Sequence, residues 1–140
     1  MNADAGCAID TAGQLWCWGA PYYNATTDMT PHLSPVQYGG ATDWASVEAA
    51  YQHTCARKTT GEVFCWGAND HGELGVAGRD STDPPVQVPL PISATELVVG
   101  GFANCARGAG TPWWCWGGND HGQLGIGNFE NQPVPFARCP

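Results

Sequence analysis

The stretch "CARKTTGEVFCWGANDHGELG" runs from Cys55 to Gly75, and "CARGAGTPWWCWGGNDHGQLG" restates it from Cys105 to Gly125. Each copy brackets a short turn with two cysteines. The same frame opens the chain, so that Cys7, Cys55 and Cys105 recur 48 and 50 positions apart, and Cys17, Cys65 and Cys115 follow at the same spacing. Trp18, Trp66 and Trp116 keep step, as do Gly19, Gly67 and Gly117. A Pro-Val pair returns later in each copy, at Pro35-Val36, Pro85-Val86 and Pro133-Val134. A period near fifty residues, carried by short apolar runs and turns, is the spacing of β-propeller blades.

Within a copy the two cysteines stand ten positions apart around "TAG" (Thr11 to Gly13) or "TTG" (Thr59 to Gly61). Three-residue hairpin loops commonly end on Gly, where the backbone turns left-handed. A hairpin centred there sets Cys7 opposite Cys17 and Cys55 opposite Cys65, close enough for disulfides. The third copy has "AGTP" at its turn but keeps the spacing of Cys105 and Cys115. Zinc is the competing reading of paired cysteines. Structural zinc sites place the ligands of a pair two to four residues apart, so three disulfides are the expectation and a metal is not. Alternation then puts Cys55, Arg57, Val63 and Cys65 on one face of the hairpin, and Ala56, Phe64 and Trp66 on the other. The equivalents of that second face, Ala8, Trp16, Trp18 and Ala106, Trp114, Trp116, read as packing between neighbouring sheets.

The 140 residues include 19 Gly and 11 Pro, and no long segment shows a helical apolar period. An all-β chain follows. With five Lys plus Arg against thirteen Asp plus Glu, the formal net charge is −8. Such a chain lacks the basic stripe that nucleic-acid binding requires and is repelled by anionic membrane surfaces. No run is apolar and long enough to span a bilayer, and "MNADAGCAID" carries no signal sequence ahead of the first repeat. Disulfides persist in oxidising compartments. The chain therefore reads as the mature form, or an excised piece, of a secreted, periplasmic or surface protein.

Cys-Trp-Gly-x-Asn-x-x-Gly-x-Leu-Gly, at Cys65–Gly75 and Cys115–Gly125, with "HTCA" at His53–Ala56, resembles the repeat of the regulator of chromosome condensation family. That resemblance implies a β-propeller, commonly of seven four-stranded blades. The cysteine pairs resemble those of bacterial extracytoplasmic members. Family members include exchange factors, inhibitors and accessory modules, so the resemblance implies a fold and leaves function open.

Three blades are expected, at about 1–50, 51–100 and 101–140, the last incomplete for want of a fourth strand after 133–138. The first copy departs from the pattern at "APYYNATTDMTPHLSP", where Tyr22, Tyr23 and Asn24 form a candidate binding loop and Asn24-Ala25-Thr26 a formal glycosylation acceptor. The two "NDHG" strings make Asp70, His71, Asp120 and His121 weak candidates for a metal site, although Asn and Gly there serve turn geometry first. His53, whose counterparts are Ala5 and Ala103, reads as a buried histidine with a hydrogen-bond partner. No nucleophile motif or phosphate loop is present, so no enzymatic activity and no cofactor are expected. Cys139 is the seventh and odd cysteine, a candidate for intermolecular pairing. Nearly three blades leave two faces uncovered, which points to a homo-oligomer, ring or filament, or to a companion chain. The alternative is a protein-binding or inhibitory module that uses its loops.

Overall fold

The computed structural model describes residues 5–21, 25, 30–79 and 84–138. Among them every regular element is a strand, and no helix is long and apolar enough to cross a membrane. The first sheet is β1 (Ala5–Ile9), β2 (Leu15–Gly19) and β3 (His32–Gln37). The second is β4 (Trp44–Ala49), β5 (His53–Lys58), β6 (Val63–Gly67) and the two-residue β7 (Val86–Gln87). The third is β8 (Glu96–Val99), β9 (Ala103–Arg107), β10 (Trp113–Gly117) and β11 (Gln132–Arg138). All pairings are antiparallel meanders.

The cysteines fix each central hairpin. Cys7 lies opposite Cys17, Cys55 opposite Cys65 and Cys105 opposite Cys115. Each pair is joined by a disulfide, with Cα atoms 4.1 Å apart. Such close Cα atoms belong to the non-hydrogen-bonded positions of an antiparallel ladder, where side chains approach most nearly. Gly61, at a φ of 93°, closes the second hairpin. A Cβ there would come within 2.6 Å of the Ala94 amide nitrogen, so a bare glycine is needed for both the turn and the close approach of the next sheet.

The sheet boundaries do not follow the expected blade boundaries. Blade bounds at 1–50 and 51–100 place the strand at 44–49 in the first copy and that at 95–100 in the second. Instead β4 pairs with β5 and β8 with β9, so each opens the sheet after the one assumed. The third sheet is thus complete, and the three-stranded sheet is the first. The reason is that a sequence repeat has a period but no phase: the same strand can close one unit or open the next. The Pro-Val marker also shifts. Val36 pairs with Cys17 and Val86 with Cys65, but Phe136 pairs with Cys115, so Pro135-Phe136 occupies the place that spacing had given to Pro133-Val134. Pro35, Pro133 and Pro135 belong to outermost strands and Pro85 directly precedes one, where a missing N–H breaks no inner ladder.

Face assignment from alternation holds. Cys55, Val63 and Cys65 enter one core cluster with Leu97, Ala106 and Trp116 of the third sheet. Ala56, Trp66 and Phe64 pack into the other, with Leu15 and Cys17 of the first sheet. Each joint therefore sets the disulfide face of one sheet against the Ala/Trp face of the next. Trp66 and Trp116 are 1% and 0% exposed, whereas Trp18 is half-buried on an outward face. Trp66→Ala is expected to cost about 3–5 kcal/mol, as for a fully buried tryptophan, and Trp18→Ala roughly 1 kcal/mol or less. Urea unfolding of the two variants, with disulfides intact, measures the difference.

Candidate functional site

The joint between the second and third sheets is the most polar part of the core. Trp116 donates its indole N–H to the Glu73 carbonyl at 2.9 Å, and Asn104 donates its amide to the same carbonyl at 2.8 Å. The Asn104 Oδ1 accepts from His53 Nε2 at 2.7 Å. A doubly accepting carbonyl thus anchors two side chains of the third sheet. Burial holds the His53 imidazole below its ordinary value of 6.5, opposed by the Asn104 hydrogen bond and by the Glu73 charge.

The "NDHG" strings build matching turns. Asn69 Oδ1 accepts from the Leu74 amide at 3.0 Å, and Asn119 Oδ1 from the Leu124 amide at 2.9 Å. Their amide groups donate outward to loop carbonyls, Asn69 to Arg79 and Asn119 to Asn128, both at 2.9 Å. Gly72, Gly75, Gly122 and Gly125 all have positive φ, which explains the Gly-x-Leu-Gly of the motif.

Of the four candidates in these strings, the structure brings together two. His71 Nε2 lies 3.3 Å from Asp120 Oδ2 across the joint, while its Nδ1 lies 3.1 Å from Glu73 Oε1. The ring also packs at 5.0 Å on Phe102. Asp70 and His121 are exposed and take no part. Among the described residues no group of three or more His, Cys, Asp or Glu side chains is placed to hold a metal ion. The His71–Asp120 contact is an inter-sheet tie. Glu73, missed in the sequence reading, supplies both the carbonyl anchor and the carboxylate; its burial at 1% exposure has no sequence signal. Tyr22, Tyr23, Asn24 and Cys139 lie outside the described residues.

The two outward faces are the remaining candidates for contact. On the first sheet Ala8 is exposed and Trp16 and Trp18 are half-buried. Asp10 fixes Trp16 by accepting its indole N–H at 2.9 Å. The Gln14 amide and that indole hold the Asp10 carboxyl below its ordinary 3.8. On the third sheet, Val98 is 53% and neighbouring Phe102 37% exposed, and both line a concavity of about 410 Å³. Apolar exposure of this kind, gathered on one face, marks an interaction surface.

The sequence pattern described as "Regulator of chromosome condensation (RCC1) repeat" matches residues 44–73 in one form, and residues 60–106 and 114–138 in another. The chain belongs to the RCC1 repeat family. Solved structures show the same fold. Prp20p of Saccharomyces cerevisiae superposes with a TM-score of 0.85 at 15% identity, over 100% of this chain and 37% of that one. Yeast RCC1 (Prp20) with Kap60 bound gives 0.85 at 15%, over 100% and 36%. Human WBSCR16 gives 0.79 at 24%, over 98% and 38%. Among curated proteins no sequence matches. The chain spans little more than a third of the length of these structures, and its three sheets form a partial β-propeller.

A histidine whose folded value is depressed contributes stability above the unfolded value, and loses it as pH falls from about 6.5 toward the folded one. Stability is therefore expected to fall on acidification below about pH 6.5, and less so in His53→Gln, whose amide can still meet Asn104. Urea midpoints of both proteins between pH 7.5 and pH 5 test this; parallel curves would remove His53 from the account.

Proposed function

We propose that the chain is a non-enzymatic, extracytoplasmic protein-interaction module that associates through the uncovered faces of its first and third sheets, with a second copy as partner. One observation carries the reading. The chain twice buries a disulfide face against an Ala/Trp face, and its two outward faces are one of each kind. A protein that leaves Val98 and Phe102 open beside one of them gains by covering it.

Three disulfides support an oxidising compartment. The printed description of Prp20p names binding to Gsp1p and histones, which supports protein binding as a use of this fold; at 15% identity it carries no partner across. The net charge of −8 argues against nucleic acid. In this reading the odd Cys139 bridges copies or remains a free thiol.

Native mass spectrometry without reductant, with thiol labelling, tests the reading. Multimers in which Cys7, Cys17, Cys55, Cys65, Cys105 and Cys115 resist labelling are expected. A monomer at every concentration, carrying one labelled thiol at Cys139, would contradict association.

A further inference from the structure

The concavity on the third sheet is the unfilled counterpart of a site that is filled one sheet earlier. It is lined by Val98, Phe102, Ala103, Cys105, Gln123 and Leu124. In the repeat, Gln123 and Leu124 stand where Glu73 and Leu74 stand in the second sheet. There, Leu74 packs in the same cluster as Trp116, and the Glu73 carbonyl takes the Trp116 indole N–H at 2.9 Å. Gln123 also repeats the local geometry of Glu73: its side-chain oxygen accepts from the His121 amide at 3.0 Å, as that of Glu73 does from the His71 amide at 2.8 Å. The receiving half of a Trp joint is thus built, and open.

The donating half lies at the other end of the chain. Trp18 pairs across its hairpin with Gly6, as Trp66 pairs with Thr54 and Trp116 with Asn104. Its ring lies against Gly6, where a Cβ would come within 2.6 Å of it. Among the described residues its indole N–H makes no hydrogen bond. Trp66 and Trp116 instead reach into the sheet before their own.

We propose that the first sheet of a second copy docks on the third sheet, with its Trp18 in the concavity and its indole N–H on the Gln123 carbonyl. This rests on the end-face association proposed above and names its central contact. The flanking residues fit. Where the internal joint sets His53 against Asn104, this joint sets Ala103 against Gly6, so no buried polar group loses a partner. The charges on the receiving face, Glu96 and Arg107, pair with each other at 2.7 Å, leaving no unmatched charge to bury. A knob at one end and a socket at the other make the contact heterologous, and copies add head to tail.

Two surface variants divide the joint. Trp18→Ala removes the knob and keeps the socket; Val98→Arg obstructs the socket and keeps the knob. Sedimentation velocity of the oxidised proteins, alone and mixed, reads the result, and a single cooperative urea transition establishes that each variant folds. Wild type is expected to associate, and each variant alone to associate about 30-fold more weakly, the loss typical of a central aromatic anchor. The equimolar mixture is expected to form dimers, because each variant keeps one competent face. If wild type and both variants associate equally, this joint is wrong while end-face association stands. A mixture no stronger than its components overturns the head-to-tail contact. Monomeric wild type overturns both readings.

Discussion

An indole lying on a disulfide face, with its N–H satisfied by a backbone carbonyl, is the contact on which the rest of this structure depends. Among the described residues the sheets share no ladder hydrogen bonds with one another, so they cohere through two seams. Burying a tryptophan without a partner for its N–H would offset much of the gain from its area. The Glu73 carbonyl removes that cost for Trp116. The Gly72-Glu73-Leu74-Gly75 turn holds this carbonyl in place through the Asn69 hydrogen bond to Leu74. The turn motif thus belongs to the packing of the next sheet as much as to its own.

The seam also accounts for the alternation of residue sizes. Each hairpin opposes a small residue to an aromatic one, Ala56 to Phe64 and Ala106 to Trp114. The alanines leave room for the disulfide face of the preceding sheet, and the disulfides themselves add apolar surface with no hydrogen-bond donor to satisfy. Around this apolar contact run polar ties, including Val99 N–H to Glu48 at 3.1 Å and His71 to Asp120. Glu48 and Asp120 are exposed. Ties of this kind contribute little energy and fix relative position instead.

Much of this was legible in the sequence because it obeys local rules. Opposed cysteines, a left-handed turn glycine and strict alternation are properties of one hairpin, and they gave the disulfides and both faces correctly. What crossed between hairpins was not legible. Trp44 and Leu97 look alike as apolar positions in a connecting strand, and nothing local says whether that strand pairs backward or forward. The same limit hid Glu73, which reads as an exposed turn acid until the third sheet covers it. Adjacency in "NDHG" makes His71 and Asp120 no more than weak ligand candidates, and the contact formed is between the histidine of one turn and the aspartate of the next.

If seams rather than individual sheets hold the chain together, the sheet covered on both faces must be the hardest to open. Cys55 and Cys65 in the middle sheet are fully buried, while Cys7 and Cys105 at the ends are only part-buried. Hydrogen exchange of the oxidised protein, at a concentration where it is dispersed, measures this most directly. The account predicts the slowest amides in β5 and β6, faster exchange in β9 and β10, and the fastest of the three hairpins in β1 and β2. Equal protection in all three hairpins would contradict it, for the disulfide-closed hairpin would then be the unit of stability and the seams secondary.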